Sequence, residues 1–320
     1  MKAEAAVYPV NMRSKMEKYI RMRISETWYS IRKHKVCYLF MLPFALCFFA
    51  FVILPVFIAI YYSFTYFNII EPPRFIGMAN YIRLFFQDDL FLTALTNTLT
   101  IAVITGPCGY ILCLIVAWLI NELPPKMRAF ITLCFYAPAI SNVYFIWTII
   151  LSGDQYGYLN SLLLRYNITY EPILFLSDKT YIMPIAIFII LWVSLGASFL
   201  TFIAGLQGVD RALYEAGVID GVKNRWQELW FITLPSIKGQ LLFAAVMSIT
   251  ASFTVGGIIT GLFGNAVTTD YAAWTISQHL EDYGGVRFDM GYACAIATVL
   301  FIMMFGSNIV IQKLLRKVGT

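Results

Sequence analysis

Two pairs of neighbouring carboxylates, Asp88 with Asp89 and Glu281 with Asp282, and two histidines, His34 and His279, are the side chains of this chain best suited to acid–base chemistry. A general acid and a general base must converge on one substrate proton, and nothing in these short charged segments brings two such groups together. Both carboxylate pairs are expected in exposed loops. Both histidines are expected to be ordinary solvated side chains, His34 in a basic tail and His279 in a loop. Cys37, Cys47, Cys108, Cys113, Cys134 and Cys294 all lie inside or at the edge of apolar stretches, as befits buried thiols acting as small hydrophobes without disulfides. No two are spaced C-x-x-C, and the chain has no G-x-x-x-x-G-K-[ST] phosphate loop, no H-E-x-x-H and no G-x-S-x-G. No catalytic, metal-binding or cofactor-binding residue is assigned, and the chain is not expected to be an enzyme.

Residue spacing is more informative in 208–238, where side chains are placed to transmit force instead of breaking bonds. The segment reads Asp210-Arg-Ala-Leu-Tyr-Glu-Ala-Gly-Val-Ile-Asp-Gly221, then Val222-Lys-Asn-Arg-Trp-Gln-Glu-Leu-Trp-Phe-Ile-Thr-Leu-Pro235. This predicts two short helices with a turn at Gly221. Ala212, Leu213 and Ala216 offer a small apolar face, Glu215 and Asp220 supply charge, and Gly221 permits a reversal that a side chain would resist. Trp226, Leu229, Trp230 and Ile232 then form an apolar stripe running to Pro235. A compact helix of this kind is suited to dock into a groove on a partner and move with it as a rigid body.

The elements that must hold this segment follow from composition. Hydrophobic residues make up 60% of the chain and charged residues only 13%, with a mean hydropathy of +0.72. Soluble domains carry about 25% charged residues, so the main solvent here is lipid. A hydrocarbon core about 30 Å thick needs about 20 apolar residues per helix. Six stretches of at least that length lack Asp, Glu, Lys and Arg: approximately 36–66, 91–120, 129–151, 181–207, 240–264 and 290–312. Of the 23 Lys and Arg residues, all but Arg74, Arg83, Arg165, Lys179 and Arg287 fall in the two termini and in the second and fourth connections. By the positive-inside rule both termini are cytoplasmic. The polar N-terminal tail is too long for a cleaved secretory signal. Its Met16, Ile20, Ile24 and Ile31 recur at helical spacing among basic residues, which suits either a helix on an anionic membrane surface or a solvated basic tail. The absence of Asp, Glu, His or Arg from the spans disfavours proton coupling, so active transport requires that another chain hydrolyse ATP.

Glu215-Ala216-Gly217-x-x-x-Gly221 followed by Ile232-Thr233-Leu234-Pro235 resembles the E-A-A loop of binding-protein-dependent ABC importer permeases, in particular the maltose and multiple-sugar subfamily. Phe75-Ile-Gly-Met-Ala-Asn-Tyr81, Asn97-Thr98, Tyr136-Ala-Pro-Ala-Ile140 and Asp289-Met-Gly-Tyr-Ala293 agree with that subfamily, so the resemblance runs from about residue 36 to the C-terminus. Two departures are visible. The third motif position is Gly217 instead of alanine, and the gap between Gly221 and Ile232 is one residue longer than usual.

The resemblance implies an all-α polytopic protein of the bacterial inner membrane. It comprises a basic tail (1–35), a six-helix transmembrane domain (36–315) with a cytoplasmic coupling loop at about 208–238, and a short cytoplasmic end (316–320). Glu215, Ala216, Gly217, Asp220, Gly221, Leu234 and Pro235 would belong to the part that sits in a cleft of an ATPase. The implied partners are a second, similar permease in a heterodimer, two ATPases that hold ATP and Mg²⁺, an extracytoplasmic binding protein and the bilayer, with no nucleic acid. Carbohydrate is the implied cargo, an oligosaccharide in particular; a glycerol phosphate, a uronate oligomer and an ion-coupled carrier are the alternatives. Sugar sites pair aromatic faces with hydroxyl and amide groups, and Asn142, Tyr144, Trp147, Trp192, Ser194, Ser198 and Ser252 are the candidates for the substrate path. The competing role for these side chains is helix packing. The same holds for Gly256, Gly257, Gly261 and Gly264, whose alternative is an external gate.

Overall fold

In hydrocarbon every backbone N–H and C=O must be satisfied within its own segment, so apolar stretches of this length become helices. A computed structural model describes residues 33–140, 143–264 and 268–315. The N-terminal tail up to residue 32, including its amphipathic pattern, and the end 316–320 lie outside the described residues.

The first span is α1 (Lys35–Tyr62), which carries Pro43 and a π-helical turn at Phe49–Ile53. It ends four residues short of the expected 66, because Thr65–Tyr66 (β1) pairs antiparallel with Arg74–Phe75 (β2). There follow α2 (Ala79–Phe86), α3 (Asp89–Asn121), α4 (Pro125–Ile140), α5 (Ile146–Ile150) and α6 (Tyr158–Arg165). Next come α7 (Lys179–Val193), α8 (Ala197–Gln207), α9 (Arg211–Ile219) and α10 (Arg225–Ser236). The chain closes with α11 (Lys238–Phe253), α12 (Gly256–Phe263), α13 (Ile276–Glu281) and α14 (Met290–Leu315).

Four segments are long and apolar enough to cross a membrane alone: α1, α3, α7 continued by α8, and α14. Counting two pairs bent by 81° and 83° raises the number to six. The charged residues of the span helices sit only in their first or last turns, as with Asp89, Lys126, Arg128, Lys179, Lys238 and Lys313. Large apolar side chains such as Val103, Phe130, Phe188 and Ile302 are exposed, as a lipid-facing surface requires.

Within residues 59–315, α8 and α11 pack against α3 around Cys113, Phe199, Phe202, Ile203, Ile237 and Leu241. A second core joins the start of α3 to α14 and to the 268–283 segment through Phe91, Trp274, Ile276, Tyr292 and Ile296.

The sequence predicts continuous spans at 181–207 and 240–264, but both are broken. The helix of the first stops at Val193 and resumes at Ala197, with Gly196 at φ −104°, ψ −129°; the second is interrupted between Phe253 and Gly256. The 129–151 span also divides, into α4 and the 143–150 helix. Apolar composition reports length in lipid and is blind to such breaks, because Ser, Gly and Thr are neutral enough to leave it unchanged.

Candidate functional site

At the end of the bundle that carries 208–238, α9 starts at Asp210, whose Oδ1 accepts from the Ala212 N–H at 3.0 Å and satisfies a free donor of the first turn. Its other end closes on Gly221. There, at φ +96°, the Gly221 N–H donates to the Val218 carbonyl (3.2 Å) and the Val222 N–H to the Gly217 carbonyl (2.9 Å). These are the two bonds of a Schellman stop, whose backbone is strained by a Cβ. The two helices and the turn at Gly221 are those expected from the sequence. Leu213, Glu215, Ala216, Asp220 and Gly221 are exposed, whereas Gly217 is buried.

Both departures from the usual motif have a local structural reason. A Cβ on Gly217 would lie 2.5 Å from Ile232 Cδ1, so glycine gives Ile232 room to draw α10 against α9. The extra residue before Ile232 is absorbed at Leu229–Thr233, a π-helical turn whose i→i+5 bonds enclose one more residue than α-helical ones. Thr233 braces that turn, its hydroxyl donating to the Glu228 carbonyl (3.2 Å) and lying 2.9 Å from the Tyr214 hydroxyl of α9.

The pair of helices is also tied to α3. Arg225 reaches Glu122 at 2.9 Å and Glu228 at 2.7 Å, and the Trp226 ring lies 5.1 Å from that of Trp118. The predicted apolar stripe is therefore divided: Leu229 is buried, Ile232 half-buried, Trp226 rests on Trp118, and Trp230 remains exposed. A cleft of about 560 Å³ opens beside it, with Trp118, Glu122, Arg128, Gln207, Tyr214 and Arg225 in its walls. Leu234 and Pro235 end the segment before an 83° bend into α11. The result is a two-helix finger, bonded to α3 and continuous with α11, that presents Leu213, Ala216, Val218 and Ile219 outward.

Midway along the bundle, the breaks gather part of the predicted substrate path. A cavity of about 170 Å³ is lined by Ser194, Gly196, Ser198, Ser248, Ser252 and their neighbours. The serine hydroxyl protons are already used: Ser194 donates to Leu191 (2.7 Å), Ser198 to Ala244 (3.1 Å), Ser248 to Gly106 (3.1 Å) and Ser252 to Ile249 (2.7 Å), all at backbone carbonyls. Each oxygen keeps acceptor capacity. Trp147 and Trp192 meet edge to face at 5.6 Å, and the buried Trp147 indole N–H has no hydrogen-bond partner among the described residues. Tyr144 lies apart from the cavity lining, its ring against Gly261 and its hydroxyl 3.5 Å from the Gly257 carbonyl; Gly261 serves close packing, whereas the space beside Gly257 is open. Asn142 lies outside the described residues. Thr105, Met247 and Gly196, which also line the cavity, carried no signal in the sequence beyond being small or apolar.

Residues 109–319 match the family model described as "Binding-protein-dependent transport system inner membrane component". The chain belongs to that family. The permease is 31% identical over 283 residues to the Bacillus subtilis (strain 168) protein described as "Probable ABC transporter permease protein YurN", covering 87% of this chain and 95% of that one. It is 29% identical to the arabinooligosaccharides transport system permease protein AraP of the same organism, with 87% of each chain covered. Among solved structures it is similar to a bacterial ABC transporter involved in the import of the acidic polysaccharide alginate. That similarity has a TM-score of 0.69 and 26% identity, over 92% of this chain and all of that one. This is a multi-pass, non-catalytic permease subunit of an ABC importer of the bacterial inner membrane.

The opposite end of the permease corrects two expectations. Asp88 is not in an exposed loop and His279 is not a solvated side chain: their side chains are only 9% and 2% exposed, and His279 Nε2 lies 3.1 Å from Asp88 Oδ2. The same oxygen accepts from the Tyr292 hydroxyl at 2.6 Å, and Oδ1 accepts from the Phe91 N–H at 3.0 Å, capping α3. Burial alone would raise the Asp88 carboxyl, but the hydrogen bonds from Tyr292 and Phe91 and the nearby His279 hold it below the usual carboxylate range. Arg83 pairs with Asp289 at 2.9 Å and stacks over Tyr292 at 4.0 Å. Glu281 and Asp282 lie in helical turns, with Asp282 paired to Arg287 at 2.7 Å. Asp88 and His279 are 191 residues apart, so no local spacing reveals their contact.

Proposed function

We propose that this permease passes a carbohydrate, a neutral oligosaccharide in particular, delivered by an extracytoplasmic binding protein, and that the 208–238 finger takes up the stroke of partner ATPases. The supporting observation is the construction of the finger. A Schellman stop, a π-turn and ties to α3 and α11 make it stiff, while Leu213, Glu215, Ala216 and Asp220 are left free to dock. The Lys/Arg-rich end is read as cytoplasmic, with both termini there. The working assembly is this chain, a second similar permease, two ATPases holding ATP and Mg²⁺, and the binding protein.

The cargo reading rests on the relatives, on the serine-lined cavity at the span breaks, and on the Trp147–Trp192 ring pair, which lies outside that cavity's lining. Discontinuous helices at membrane depth are tolerated where they line a cavity or path. No charged residue lines that cavity, which favours a neutral sugar over a glycerol phosphate or a uronate oligomer. An ion-coupled carrier is disfavoured because no Asp, Glu, His, Lys or Arg lies mid-span among the described residues. The test is uptake of labelled neutral and acidic oligosaccharides into proteoliposomes of the assembled complex loaded with ATP. ATP-dependent uptake of a neutral oligosaccharide is expected, reduced about tenfold or more by Trp192→Ala, the size of effect that about 1.4 kcal/mol of lost recognition produces. Uptake of acidic oligomers alone, or uptake driven by an ion gradient without ATP, would remove the reading.

A further inference from the structure

The buried cluster at the end opposite the finger has a built-in proton response. Trp274 Nε1 lies 3.3 Å from His279 Nδ1. An indole N–H can only donate, so Nδ1 must be the unprotonated acceptor and the ring proton sits on Nε2, from which it is donated to Asp88 at 3.1 Å. The ring is thus assigned as one neutral tautomer. Protonating Nδ1 would set one donor against another and remove the bond to Trp274. Doing so also places a charge on a ring that is 2% exposed.

Every packed element contributes to this site. The start of α3 supplies Asp88 and the Phe91 ring at 6.0 Å, and the turn after α13 supplies Asp282 and the Tyr283 ring at 4.9 Å. From α14 comes Tyr292, whose hydroxyl shares Asp88 Oδ2 with the imidazole, and from α2 comes Arg83, committed to Asp289 and the Tyr292 face. Arg287 is committed to Asp282 and to the Tyr283 face. Asp88 favours the charged ring, as does Asp282, but burial outweighs both and lowers the His279 titration below its ordinary range.

We propose that His279, held between Trp274 and Asp88, is a proton-sensitive clamp: neutral, it joins Trp274 to Asp88 and so helps fasten the 268–275 stretch to the start of α3, and protonated, it keeps Asp88 but lets go of Trp274 and loosens that stretch. Left in place are the His279–Asp88 link, the two bonds from Asn97 Nδ2 to the Tyr271 and Trp274 carbonyls and the bond from the Ile276 N–H to Thr98 Oγ1, the last three each 3.0 Å. Release is therefore a local loosening and not unfolding. The sign follows from the direction of the shift. A histidine depressed in the folded state contributes stability that is complete above its free value of about 6.5 and is lost as pH falls through that value toward the folded one. The clamp stands whatever the cargo. Only its exposure to the extracytoplasmic pH rests on the orientation proposed above.

The chain contains only two histidines, His34 and His279, so ¹⁵N-histidine NMR of the full-length chain in lipid vesicles resolves both. Between pH 7.5 and 5.0, the His279 ring should remain the Nε2–H tautomer through the free value of about 6.5 and become protonated only below it. Hydrogen exchange of peptides covering 268–275, corrected for intrinsic rates, should then rise about tenfold below the His279 titration and stay flat in His279→Gln. A His279 ring that titrates at or above about 6.5, a protonated Nδ1 at neutral pH, or exchange that ignores pH in the wild-type chain would overturn the clamp. None of these readouts involves transport, so failure of the importer reading leaves them untouched.

Discussion

The two ends of this permease are built on opposite plans. At the 208–238 end, the residues of interest lie on the surface of a short finger, are close in sequence, and hold together through caps and turns. At the other end, Asp88, His279 and Tyr292 come from distant parts of the chain and meet in a site nearly closed to water. Exposed groups with few partners are free to bind something else, whereas buried groups with every partner in place hold the protein to one arrangement. On the readings proposed above, the first end is the one a partner engages, and the second loosens only when a proton arrives.

The contrast makes graded predictions. The largest stability effect belongs to the buried end. Asp88→Ala removes the α3 cap and strands the His279 and Tyr292 donors, which should cost about 3 kcal/mol or more and lower the thermal midpoint in detergent. An unchanged midpoint would mean the cluster is not the fastening described. At the finger, Gly221→Asp forces a side chain into a left-handed turn, with an expected cost of about 1–2 kcal/mol confined to faster hydrogen exchange in 208–238. Gly217→Ala requires only that the end of Ile232 swing aside. A loss of less than about 1 kcal/mol is expected, and a larger one would show that the Ile232 seat cannot yield. Arg225→Ala breaks ion pairs whose arginine side chain is 63% exposed, so denaturant unfolding should shift by less than about 1 kcal/mol.

The same contrast explains what was legible in the sequence. Spans follow from composition because lipid admits few charges, and the finger follows from spacing because its contacts are local: Asp210 caps Ala212, and Gly221 closes on Val218. Even the departures at Gly217 and before Ile232 were visible, although only the structure shows them as a seat for Ile232 and a π-turn. His279 was misread because a histidine in a charged segment carries no sign of a carboxylate 191 residues away. The breaks at Gly196 and after Phe253 escaped notice because packing, and not hydropathy, decides where a membrane helix stops.

The smallest predicted stability effect carries the central claim. Glu215 is exposed and without a hydrogen bond among the described residues, so Glu215→Lys should alter stability by no more than about 0.5 kcal/mol. Mild-detergent purification of Glu215→Lys beside the wild-type chain, with quantification of the ATPase that accompanies each, tests the account most directly. The account predicts an inserted, stable variant that retains about tenfold less ATPase; wild-type retention by that variant would contradict it.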